Sequence, residues 1–213
     1  LRKQAALAAT QGGYHLHFGR AEQAVAAFER QRELYHRVGA ELGEYIALGN
    51  VGSAQLDAGD LNAAVDSLQR SVDGLRRINA PYGWEHRVGK LAIARAWRGD
   101  AADILPLARE AFDFLRSSGR SFTPVMAAAM QYAHRGDLKR AILLAGHAGI
   151  VLDRDSSPCR VDREMLQWLR KRATAVHPES TVAEWWHAGE CMTDAQVIGF
   201  AFEGASPPEV APT

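Results

Sequence analysis

Several things this 213-residue chain has little of narrow its chemistry at once. It has only two cysteines, Cys159 and Cys191, with no Cys-x-x-Cys or His-x3-His companion, so neither a zinc site nor a disulfide scaffold is expected and both read as reduced thiols. Its net charge is zero, with 25 basic and 25 acidic residues and no basic stripe, which removes the field that would draw it to nucleic acid. No apolar run approaches the roughly 20 residues of a membrane-spanning helix, and no charged-then-apolar leader opens the chain. There is no Gly-x4-Gly-Lys-Ser/Thr loop, so this segment is not expected to bind ATP, and no cofactor is expected. Period-two runs with Asn-Gly turns are also missing, which argues against strands. The chain begins with Leu1, not Met, and is read as a fragment of a longer cytoplasmic protein.

What is present is a repeated stop signal. With 47% hydrophobic and 23% charged residues, the composition suits a folded chain, and its apolar residues recur at helical spacing. Residues 52–68 read as a helix, a two-residue stop at Gly59-Asp60, and a second helix. Gly59 can take the left-handed conformation that ends one helix, and Asp60 can cap the next. The same signal recurs at Gly19, Gly99 and Gly136, giving intervals of 40, 40 and 37 residues. Seven residues before each glycine stand Gly12, Gly52, Ala92 and Ala129; five after stand Ala24, Ala64, Ile104 and Ala141. Small residues in paired columns are what a close helix crossing requires. Neither helix of such a hairpin can bury its apolar stripe alone, so neighbours must stack into a right-handed superhelix with a concave groove.

Helices are therefore expected over 2–17, 21–37, 41–58, 61–78, 82–98, 102–117, 122–135 and 138–152. Pro106 is compatible only with the first turn of its helix, which Asp103 or Asp100 is expected to begin. Turn residues at Asn79-Ala80-Pro81, Ser117-Ser118-Gly119 and 153–158 mark linkers. Beyond Pro158 the repeat fades. Val161, Met165, Leu166, Leu169 and Ala173 mark a ninth helix, Val182 to Ala188 a tenth, and Ala195 to Phe202 an eleventh, opened by a Thr193-Asp194-Ala195-Gln196 capping turn. The expected division is four repeats (about 1–39, 40–79, 80–119 and 120–153), a helical cap over 154–204 and a flexible tail over 205–213.

Gly52, Gly59, Ala64 and Leu68, preceded by Leu48-Gly49-Asn50-Val51, resemble the tetratricopeptide repeat in its longer form of roughly 40 residues. The resemblance covers about residues 3–153, with departures at Arg20, where Asp is expected, and at Ile104, where Ala is expected. It implies an all-α solenoid of antiparallel hairpins whose first helices line the concave face. Residues on that face would be Tyr14, Tyr45, Gly49, Asn50, Ser53, His86, Gly89, Lys90, Ile93, Trp97, Met126 and Met130. Gly49 and Gly89 would leave room for a bound segment, and Asn50, His86 and Lys90 would hydrogen-bond it. Arg87 and Lys90 resemble half of a carboxylate clamp, but Ala9, Gly13 and Gly49 stand where its other basic members belong.

The C-terminal part carries a second resemblance. Trp186, Gly189, Met192, Thr193 and Val197 are similar to the motif that closes the helical-repeat region of large bacterial ATPase regulators of the STAND and LuxR-related group. This implies a parent with a nucleotide-binding switch module upstream and an output module elsewhere. The function expected is a non-catalytic sensor that binds a protein, a peptide segment or a small effector, or packs on the parent's own ATPase module; the alternative is an autonomous adaptor that assembles a complex. No catalytic residue and no metal ligand is assigned. His15 and His17, two residues apart on a helix, point about 200° apart and cannot chelate one ion. His187 precedes Cys191 by four residues, but Gly189 between them is expected to end the helix. Of Trp185 and Trp186, one is expected to plug the end of the last hairpin, while the other can anchor a partner.

Overall fold

The computed structural model describes residues 1–80, 82–100, 104–115, 122–153 and 160–205, and these form eleven α-helices with no strand. They are α1 (Arg2–His17), α2 (Ala21–Arg37), α3 (Glu41–Ala58), α4 (Leu61–Arg77), α5 (Glu85–Arg98), α6 (Leu105–Leu115), α7 (Phe122–His134), α8 (Leu138–Asp153), α9 (Arg160–Thr174), α10 (Glu179–Glu190) and α11 (Asp194–Phe202). Pro81, Asp103, the Ser117–Gly119 and 154–158 linkers, Cys159 and the 206–213 tail lie outside the described residues. None of the described helices is long and apolar enough to cross a membrane. The chain divides into two units, one built mainly on Leu1–Ala94 and the other on Arg95–Pro158 and Asp162–Thr213.

In the first unit α1 packs on α2, α2 on α3 and α3 on α4, and α1 also meets α3. The turn glycines do what the repeated signal predicts: Gly19, Gly59, Gly99 and Gly136, the last two in the second unit, have φ of 68°, 85°, 81° and 86°. Side-chain-bearing residues adopt this conformation only at a cost, which is why glycine recurs there. Asp60 Oδ1 accepts the Ala63 N–H at 3.2 Å, so it caps α4, and Asp137 does the same for the Arg140 N–H at 3.1 Å. Arg20, the departure from the pattern, supplies no side-chain cap to α2. At Gly52 an added Cβ would lie 2.7 Å from Leu68 Cγ and 3.0 Å from the Leu68 nitrogen, so α3 and α4 cross too closely there for any side chain. Gly12 is closed in the same way by the Phe28 ring. Around these crossings Ala24, Val51, Ala54, Leu68, Val72 and Leu75 are wholly buried, and their removal from water is the main stabilising term.

In the second unit α7 packs on α6 and α8, and α10 packs on α8. Pro106 is the second residue of α6, inside the first turn, where its lacking N–H costs no helical bond. Asp100 does not cap that helix; both of its oxygens are held by Arg98, at 2.6 and 2.8 Å. Gly189 does not end α10, which continues to Glu190. It is instead the place where α10 crosses α8: an added Cβ would lie 2.8 Å from the Leu143 carbonyl carbon and 3.0 Å from its Cα. Gly146 opposes the backbone of Trp186 in the same crossing. A glycine followed by a turn-like sequence thus served packing, because a helix backbone can approach another this closely only where the residue at the point of contact lacks a Cβ atom. Thr193 and Gln196 form the expected capping box at the start of α11. That helix covers parts of α6, α7 and α8: the Tyr132 hydroxyl donates to the Ala201 carbonyl at 2.8 Å, and the Arg140 guanidinium stacks on both Tyr132 and Phe200.

Candidate functional site

The residues expected on an open inner face divide into three groups. Ile93, Met126 and Met130 are fully buried, so they belong to the core and present nothing to a ligand. Their apolar character already suited either role, and only packing decided between them. Tyr45 is half-buried, with its ring against Gly74, and its hydroxyl accepts from the Arg77 guanidinium, which also reaches Glu41 at 3.4 Å. It therefore fastens α3 to α4 and does not line an open groove. Trp97, in the second unit, is half-buried and meets Trp168 edge to face at 5.9 Å.

The polar members around Gly49 are tied into the fold. Gly49 leaves no room for a bound segment: an added Cβ would meet Arg87 Cδ at 2.6 Å and Ser71 Oγ at 2.8 Å. Arg87 from α5 lies across this point, only 8% exposed, and its guanidinium donates to the Gly83 carbonyl, to the Ile46 carbonyl at 3.0 Å and to Asn50 Oδ1 at 3.1 Å. The Asn50 amide nitrogen in turn donates to Gln31 Oε1 at 3.3 Å, so a polar ladder links α2, α3 and α5. Ser71 Oγ donates to the Tyr45 carbonyl at 2.6 Å, and Ser53 Oγ donates to the Gly49 carbonyl at 3.0 Å. Burial pushes the Arg87 guanidinium down to about 10, against the opposing field of Glu85, and it remains charged at neutral pH. Arg87 is consequently not half of a carboxylate clamp, and Asn50 is a structural bridge whose hydrogen-bonding atoms are already engaged.

What stays accessible in the first unit is Tyr14, 54% exposed, together with exposed His86 and half-buried Lys90; the last two have polar contacts of their own within the chain. Tyr14 has neighbours that the repeat pattern does not single out. Leu7 is 59% exposed and Phe18 54% exposed, and at spacings of seven and four residues these three side chains follow one stripe of the α1 region. The Tyr14 and Phe18 rings are 4.6 Å apart, and the Arg20 guanidinium lies 5.9 Å from the Phe18 ring. Large apolar side chains left in water together along a helix and its C-cap mark a surface that other molecules can cover.

Of the two tryptophans near the C-terminus, both are half-buried: Trp185 meets the His177 ring at 4.9 Å, and Trp186 packs by Gly149 while donating its Nε1–H to Glu190 at 2.9 Å. Cys191 is an exposed free thiol, and the nearby His187 bonds Glu190 at 3.1 Å. His15 is half-buried and His17 exposed. No family model matches the sequence, and no curated protein is significantly similar to it.

Proposed function

We propose that this chain is a non-catalytic recognition module of the tetratricopeptide type, a superhelical array of hairpins closed by a C-terminal helical cap. The observation that carries the reading is the uncovered stripe of Leu7 and Tyr14 on the first helix of a regularly repeated hairpin, continued by Phe18 at its C-cap. Small residues at the crossings let the two helices of a hairpin pack tightly, and an uncovered apolar stripe on such a framework favours binding of a protein or peptide segment through burial of aromatic area.

In the parent we take the chain for the regulatory C-terminal part of a bacterial signalling ATPase or transcriptional regulator of the STAND and LuxR-related kind. A ligand that prefers one arrangement of the array would shift the parent between resting and active forms by the difference in its affinity for the two. The test is made in the intact natural protein. A phosphate loop encoded upstream of Leu1 is expected, and Tyr14→Glu and Leu7→Glu, both at exposed positions, are expected to reduce the effector response at unchanged helical content. A parent without a phosphate loop overturns the switch assignment and leaves the adaptor; an unchanged response in both variants overturns the α1 surface.

A further inference from the structure

The second unit contains an open pocket of about 500 Å³ lined by Gly136, Leu138, Trp168, Lys171, Arg172 and residues of the Ala175-Val176 corner. Its volume is in the range of small-molecule sites, about 300–1,000 Å³. Its walls are mostly apolar, Trp168 is the one aromatic residue among those that line it, and Val176 is left 66% exposed at the edge. The indole is held in place by two other rings, Trp97 at 5.9 Å and His134 at 5.4 Å.

Its charge has one sign. Among the described residues Lys171 and Arg172 line the pocket, and no acidic residue does. Among the described residues neither cation has an ion pair, while Asp137, beside Gly136, is engaged by Arg140 at 3.5 Å. The Arg172 guanidinium is stacked over the Trp168 ring at 5.3 Å. Stacking fixes the plane of the guanidinium while leaving its N–H edge able to grip a carboxylate through two parallel bonds, so less freedom is lost on binding. Lys171 adds a second, mobile point charge. Two such cations at the rim of an apolar pocket complement a molecule with a flat apolar body and an anionic end.

We propose that this pocket binds a small aromatic carboxylate, its ring lying among Trp168, Leu138 and Val176 and its carboxylate between Arg172 and Lys171. The site is independent of the α1 surface, so either assignment can fail without the other.

The test titrates the full 213-residue chain with 2-naphthoate and with its uncharged analogue 2-naphthamide by calorimetry. Saturable binding of the naphthoate below about 1 mM is expected, at least about fivefold tighter than the amide. The exposed double substitution Lys171→Gln with Arg172→Gln is expected to weaken the naphthoate by about tenfold at unchanged circular dichroism and to leave the amide nearly unaffected. Trp168→Leu is expected to weaken both. Absence of saturable naphthoate binding, equal affinity for acid and amide, or an unchanged affinity in the double variant overturns the proposal.

Discussion

Gly49 and Arg87 occupy one space, and a double-mutant cycle between them measures it. Gly49→Ala alone gains about 1 kcal/mol of helix propensity but places a methyl group against Arg87 Cδ and Ser71 Oγ, an overpacking that costs about 1–3 kcal/mol. A net loss of about 1 kcal/mol is expected. Arg87→Ala removes the donors that serve the Ile46 and Gly83 carbonyls and Asn50 Oδ1, each worth about 1 kcal/mol when left unsatisfied, and it opens the volume of the aliphatic stem. Against this stands the relief of a buried charge, which burial pushes down to about 10, an offset of at most about 3 kcal/mol. The net loss is expected to be about 2–4 kcal/mol.

In the Arg87→Ala background the Gly49→Ala methyl enters vacated space, and Ser71 can turn away from it. The second substitution then stabilises by about 0.5–1 kcal/mol, which makes the coupling between the two about 1.5–2 kcal/mol. Native-state amide hydrogen exchange at Val51 and Ala54 in α3 reads the effect where it arises, with urea denaturation followed by circular dichroism as the whole-chain check. Additivity within about 0.3 kcal/mol would refute the shared space, since it would show that Arg87 does not fill the place of a Gly49 side chain.

At the α8 and α10 crossing, Gly189→Ala is expected to cost about 3 kcal/mol, because the obstacle is the Leu143 backbone and not a side chain that can rotate; a thermal melt showing a loss under about 1 kcal/mol would contradict the close crossing. Asp100 is held below the usual carboxylate range first by its hydrogen bonds from Arg98 and then by the fields of Arg98 and Arg95, opposed by desolvation. A depressed acid stabilises fully above its unfolded value near 3.8, and that contribution disappears as pH falls through the lower folded value. Because the Arg98 side chain is a third exposed, Asp100→Asn is expected to cost only about 1 kcal/mol at pH 7 and to flatten the acid limb of the stability curve. An NMR titration placing Asp100 at or above 3.8 would count against this pairing.

Local chemistry made the hairpins legible. Gly59 takes the left-handed turn without the steric cost that a side chain would bring, Asp60 caps through atoms three residues away, and Pro106 tolerates only a first turn; each depends on neighbours in sequence. The eleven helices consequently lie close to the expected boundaries. Gly189 departs from expectation for a related reason: a local stop and a close crossing both call for glycine, and only the Leu143 backbone from another helix distinguishes them. The functional role of α3 and its neighbours was least legible. A small residue at Gly49 looks the same whether the space above it is empty or filled, and the filling side chain, Arg87, bonds Asn50 across 37 positions.

The sequence by itself therefore determined the helical class, the spacing of the hairpins and the caps that bound them, since these depend on backbone conformations set by near neighbours. Tertiary structure alone decided that Arg87 closes the space over Gly49, that Ile93, Met126 and Met130 are core, and that Gly136 and Leu138 come up to Trp168 to form an open pocket. Those outcomes depend on which side chains reach the same point from distant parts of the chain, and periodicity along one helix carries no information about that.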